Sequence, residues 1–184
     1  FSSRGCPNKC WFCNVWRREG GLRELEIKDG WNILDDNLLA CSEDHIKKVF
    51  KMLSKQKHRP EFTGGLEAKI LKPWHAEKLY KLNPKRMYFA YDTPDDYEPL
   101  VTAGKLLQDV GFKISNHNMH CYVLIGYQGD TFDKAEKRLI DTIKAGFVPY
   151  AMLYRDEQGK VDNKWSKFQR LWIRPQIVTT KMRE

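Results

Sequence analysis

The sequence predicts an α/β fold: parallel strands joined by crossover helices, in a partial, open (β/α)6 barrel of TIM-like form. Three observations predict it. Strand-like apolar runs near residues 33, 62, 88, 123 and 151 alternate with amphipathic stretches, the pattern of a parallel sheet with crossovers. A sixth strand is expected just before Cys6, because the chain opens on Phe1-Ser2-Ser3-Arg4-Gly5 with no initiator Met and reads as cut from the end of a strand. The 184 residues fall short of the ~250 that a closed eight-unit barrel takes, so the barrel should be incomplete. A doubly wound open sheet is the alternative.

The elements follow in order. Trp31-Asn32-Ile33-Leu34 reads as a strand ending in the polar run Asp35-Asp36-Asn37. Ser42 is an N-cap, and Ile46, Val49, Phe50 and Leu53 keep the i, i+3, i+4, i+7 spacing of one helix face. Glu61-Phe62-Thr63 is a short strand stopped by Gly64-Gly65, and Pro73 starts a helix to about Leu82. Arg86 to Tyr91 is a strand; Asp92 to Asp96 caps a helix through Val110, which Gly111 stops. Cys121 to Ile125 is the most strand-like run and ends at Gly126. A helix from about Thr131 to Ala145 sets Phe132, Ala135, Leu139 and Ile143 on one face, and Phe147 to Tyr154 is the last strand. Residues 1–155 form the barrel domain and 156–184 a basic, aromatic C-terminal extension.

Composition narrows the class. No apolar run approaches the ~20 residues of a membrane helix, so no membrane role is expected. Five cysteines without obvious pairing in a chain of this size favour a reducing compartment, hence the cytoplasm. The net charge of +8 reads as solubility, or as affinity for an anionic substrate or a nucleic acid. From Arg155 to Glu184 there are eight Lys and Arg against four Asp and Glu, with Trp165, Phe168 and Trp172 among them. Basic residues interleaved with aromatics can track a phosphate backbone; the plainer reading is a tail that packs its rings and solvates its charges.

The chemistry concentrates in Cys6-Pro7-Asn8-Lys9-Cys10-Trp11-Phe12-Cys13. Thiolates bind soft metals, and three on one short loop can serve a single centre. Three ligands are one short of a closed zinc site or an ordinary [4Fe–4S] site, and the open position points to chemistry. Zinc completed by a distant ligand such as Cys41, His45 or Cys121 is the alternative, though zinc sites commonly use CxxC pairs. Cys41 and Cys121 otherwise read as small buried apolar residues. His117 and His120 flank a strand start and read as structural.

The CxxxCxxC spacing, with an aromatic residue (Phe12) just before the last cysteine, resembles the signature of the radical S-adenosylmethionine (SAM) superfamily. The resemblance implies that Cys6, Cys10 and Cys13 hold three irons of a [4Fe–4S] cluster and that SAM chelates the fourth through its amino and carboxylate groups. It implies reductive cleavage of SAM to a 5′-deoxyadenosyl radical that abstracts hydrogen from a substrate of unknown identity, anionic or nucleic acid in view of the charge. An electron-donor protein of flavodoxin or ferredoxin type would serve it. The resemblance places Phe12, Gly64, Gly65, Glu67, Asp92 and Gly126 around SAM. The family's Gly-Gly-Glu pattern is interrupted here by Leu66, and Asp92 would accept from ribose hydroxyls or act as a helix cap. Gly126-Tyr127-Gln128-Gly129-Asp130-Thr131 is similar to a family segment near the adenine, with Asp130 or Thr131 also able to cap a helix; Tyr154 and Arg155 would face adenine or substrate. Asp35 and Asn37 are expected to touch substrate. Two readings from other classes stay open: an iron–sulfur electron-transfer or scaffold protein without SAM cleavage, and a zinc-bound nucleic-acid-binding module.

Overall fold

A computed structural model describes residues 1–156, 158–173, 178, 180 and 181. Its frame is a five-stranded parallel sheet flanked by helices, and the elements run in chain order. Strand β1 (Ser3–Arg4), helix α1 (Val15–Arg18) and β2 (Arg23–Glu24) come first, then β3 (Asn32–Ile33), α2 (Glu43–Leu53), β4 (Glu61–Phe62) and α3 (Pro73–Leu82). They are followed by β5 (Arg86–Tyr91), α4 (Tyr97–Asp109), β6 (Met119–Ile125), α5 (Phe132–Lys144), β7 (Val148–Leu153) and α6 (Asn163–Trp172).

The sheet order is β3-β4-β5-β6-β7, each pair parallel. Strands lie side by side in chain order with no reversal, so the sheet lacks the switch point of a doubly wound fold. The expected strand before Cys6 does not join this sheet. Ser3 and Arg4 pair antiparallel with Glu24 and Arg23 instead. The physical reason lies in the side chains: Ser2 and Ser3 are buried against Asp35 just past β3, which tethers the segment to the sheet through the Asp35 carboxylate while its backbone ladder goes to β2.

Helix starts follow their predicted caps. The Ser42 hydroxyl accepts from the His45 N–H, Pro73 opens α3, and the Thr131 hydroxyl accepts from the Lys134 N–H. Ile46, Val49, Phe50 and Leu53 are buried on one face of α2. The two faces of the sheet differ. Phe62, Met87, Phe89, Met119, Cys121, Val123 and Ala151 are buried in the core beneath the helices. The alternate residues, among them Tyr88, His120, Tyr122, Tyr150 and Met152, lie on the opposite face.

Helix α6 was unanticipated. Its Trp165 and Phe168 pack on Phe132 of α5, Trp172 is buried, and the Gln169 side chain donates to the Ala151 carbonyl of β7. The rings of the tail therefore pack against the domain, while Lys164, Lys167 and Arg170 are exposed. Within the extension, residues 157, 174–177, 179 and 182–184 lie outside the described residues. Among the described residues no helix is long and apolar enough to cross a membrane.

Candidate metal centre

The cysteine loop connects β1 to α1. The Cys10 carbonyl accepts from the Cys13 N–H and from the Trp16 indole N–H, which closes the loop into a turn. Two sulfurs meet N–H donors: Val15 N–H lies 3.5 Å from Cys13 Sγ, and the Asn37 amide lies 3.5 Å from Cys6 Sγ. Burial, then the charges of Cys13, Cys6, Asp92 and Asp96, pushes the Cys10 thiol up, so the three thiols and Asp92 share one electrostatic neighbourhood. All five cysteines carry free thiols; Cys41 and Cys121 are buried. Burial pushes the thiols of both upward, in keeping with packing roles.

The polar run after β3 anchors this loop. Asp35 is 1% exposed; its carboxyl group accepts from the Ser2 N–H (2.6 Å), the Ser2 hydroxyl (2.5 Å) and the Ser3 hydroxyl (2.8 Å). Asp35, expected at the substrate, holds the N-terminal segment through these bonds. Asp36 accepts from the Gly5 N–H. Asn37 is buried and donates to Glu67 Oε2 at 2.6 Å, an oxygen that also accepts from Asn8 of the cysteine loop at 3.0 Å. The Asn37 Oδ1 is buried without a hydrogen-bond partner among the described residues. Glu67 thus ties the Gly-Gly segment to the cysteine loop. Asn8 gave no signal in the sequence, because its partner lies 59 residues away.

The predicted glycines have local reasons. A Cβ on Gly64 would stand 2.2 Å from the Asp35 carbonyl oxygen, so Gly64 permits the close approach of the β3 and β4 ends. Gly65 has φ +115°, a backbone state that side chains rarely adopt, and open space on its Cβ side. Gly126 has φ +77°, and a Cβ there would meet Trp165 at 2.8 Å; its N–H donates to Asp130. Asp130 is also paired with the buried Arg138 at 2.7 Å, so it locks the turn while Thr131 caps α5.

Asp92 follows the last residue of β5 on the same rim. Burial, reinforced by Asp96, pushes its carboxyl up to about 7, against Arg138 and a backbone hydrogen bond at Leu124. It does not cap the following turn: the Asp96 carboxylate accepts from the N–H groups of Asp92 and Thr93. Across the rim, Trp11 of the cysteine loop touches Phe12 (ring centroids 5.2 Å apart), Tyr127 after β6 (5.5 Å) and Tyr154 after β7 (5.8 Å). The loop therefore spans from the β3 end to the β7 end above the carboxyl ends of the strands, where parallel α/β folds place their sites.

Among the described residues, no three His, Cys, Asp or Glu side chains form a shell around a single metal ion. A tetrahedral zinc requires such a shell, with Zn–S near ~2.3 Å; a [4Fe–4S] cluster gives each thiolate its own iron. Three cysteine sulfurs on one loop are the donor type that either centre takes.

No protein-family model matches the chain. Over 66 residues it is 35% identical to the tRNA-specific 2-thiouridylase MnmA of Pseudothermotoga lettingae, a stretch that is 36% of this chain and 18% of that protein. The chain thus covers under a fifth of that relative's length.

Proposed function

We propose that this chain is a radical SAM enzyme built on a partial (β/α) barrel. One observation carries the reading: three thiols of a single CxxxCxxC loop stand over the carboxyl ends of a parallel sheet, near the half-buried Asp92 carboxyl group on the same rim. One feature of the sheet supports the barrel: its strand order is sequential. The Tyr122 hydroxyl donates to the Thr63 carbonyl just past β4, which ties the central strands together on the face away from the helices.

Cys6, Cys10 and Cys13 would hold the cluster, and SAM would complete its open iron. When bound, that group supplies one-electron reduction and radical formation. The chain's own residues do the rest. Asp35 and Asp36 fix the start of the loop, and Asn37 and Glu67 brace it against the Gly64-Gly65 segment. N–H donors from Val15 and Asn37 stabilise negative charge on the sulfurs. Trp11, Phe12, Tyr127 and Tyr154 would line one side of the site, and Asp92 would accept from a cofactor hydroxyl. A flavodoxin- or ferredoxin-type partner would deliver the electron.

The similarity to MnmA, a tRNA-specific enzyme by name, does not bear on the radical chemistry; nucleic acid, already suggested by the net charge, is a substrate class to test. The test is anaerobic reconstitution with iron and sulfide, reduction, and chromatography for 5′-deoxyadenosine. Formation of 5′-deoxyadenosine that is lost in Cys10→Ala supports the reading. An iron-loaded protein that never cleaves SAM would instead be an electron carrier or scaffold.

A further inference from the structure

The face of the sheet turned away from the helices carries an aromatic strip. Tyr88 is stacked between His120 (ring centroids 4.8 Å apart, planes 21° apart) and Tyr122 (4.5 Å, 12°). Tyr150 stands edge-on to both tyrosines, at 6.3 and 5.7 Å. These rings are in register across strands: Tyr88 pairs with His120, and Tyr122 pairs with Tyr150. Along β7 the side chains alternate, so Tyr150 and Met152 share one face and Ala151 is buried on the other. Tyr150 and Met152 are each 40% exposed and Leu34, past β3, is 43% exposed. Tyr154 continues the alternation and touches Trp11. The strip thus runs from the middle of the sheet up to the cysteine loop.

Positive charge flanks it. Helix α6, which packs along β7, exposes Lys164, Lys167 and Arg170 and holds no acidic residue. At the other side, Lys9 in the cysteine loop is exposed, while Arg4, Arg18 and Arg23 pair with Glu19 and Arg18 also with Asp36. An exposed ring, Tyr150, backed by the stacked Tyr88, His120 and Tyr122 and neighboured by exposed cations on adjoining elements, is the kind of arrangement that stacks bases and tracks phosphates.

We infer that this open face is a base-stacking platform for single-stranded nucleic acid, with a base seated on Tyr150 and Met152 and the phosphates on α6 and the cysteine-loop margin. As a statement about substrate it rests on the radical SAM reading; as a statement about binding it stands without a cluster. The strand would then pass directly beneath the cysteine loop, which brings one nucleotide's hydrogens toward the reactive centre.

The test is fluorescence anisotropy with a labelled single-stranded RNA of about 12 nucleotides, within the site sizes of such surfaces, on the iron-free and the reconstituted protein. Binding is expected in both forms, with affinity falling as salt rises. Tyr150→Leu, which keeps apolar area but removes the ring, should weaken binding about tenfold, while Tyr150→Trp retains it; circular dichroism confirms the fold of each. The triple change Lys164→Gln, Lys167→Gln, Arg170→Gln should flatten the salt slope by about 0.7 per lost phosphate contact. No binding, equal affinity for duplex RNA, equal competition by polyglutamate, or indifference to Tyr150→Leu would each overturn the platform. SAM cleavage without RNA binding overturns the platform alone. RNA binding without iron or SAM cleavage overturns the radical reading and leaves the platform standing.

Discussion

Asp92 keeps its proton to about pH 7 because burial and the nearby Asp96 disfavour its charge. An unfolded chain would ionise it near its ordinary 3.8. Between about pH 4 and pH 7 the folded state therefore binds the extra proton, and stability falls as pH rises through that window. Asp92→Asn removes the effect. Thermal melts across that range should show the variant gaining on the parent as pH rises; a constant difference would show that the carboxyl group titrates normally. Asp35 makes a second residue-scale case. Truncating it to Ala strands three buried donors and should cost about 3 kcal/mol, read as a lower melting temperature, with the N-terminal segment more open to proteolysis. The sequence marked Asp35 as a polar residue on the right rim. It could not show that Ser2 and Ser3, 33 and 32 positions away, would occupy its oxygens. The three cysteines were legible because their spacing is local, whereas the Asn8–Glu67–Asn37 brace joins three distant segments and leaves no local trace.

At the scale of elements, legibility followed punctuation. Helices α2, α3 and α5 announce themselves through Ser42, Pro73 and Thr131, and β5, β6 and β7 through apolar runs bounded by Gly, Pro or Asp. The β1–β2 pair has only two residues per strand, too few for any alternation to register. Helix α6 had a readable signal: Trp165, Phe168 and Trp172 keep i, i+3, i+7 spacing, but its cations suggested a nucleic-acid tail before they suggested an amphipathic helix. Its docking depends on Gly126, which combines positive φ with direct contact to the Trp165 ring. Gly126→Ala should destabilise the protein by about 2 kcal/mol or more and shift tryptophan fluorescence toward the exposed range. An unchanged spectrum and melt would show that α6 does not seat there.

For the molecule as a whole, the parallel α/β plan was legible from alternating elements, and the sequential strand order explains why one rim collects the chemistry. Every β-to-α turn faces the same end, so Asp35, Gly64, Asp92, Gly126 and Tyr154 arrive beneath the cysteine loop although they span the chain. The open face of the sheet was harder to foresee. Tyr88, Tyr122 and Tyr150 sit within strands where aromatic residues ordinarily mark a core, and only the pairing register shows that they line one surface. Cys10→Ala should abolish iron binding while sparing the melting temperature of the sheet, since the loop lies above the core rather than within it; colorimetric iron analysis with a melt in parallel checks both halves.

The most direct measurement is the electron paramagnetic resonance spectrum of anaerobically reconstituted, reduced protein, recorded before and after addition of SAM. About four irons per chain and a signal that changes when SAM is added are the expected result, because the incoming amino and carboxylate groups would alter one iron's ligands. A colourless protein carrying one zinc, or an iron signal that SAM leaves unchanged, would contradict an open iron position at Cys6, Cys10 and Cys13.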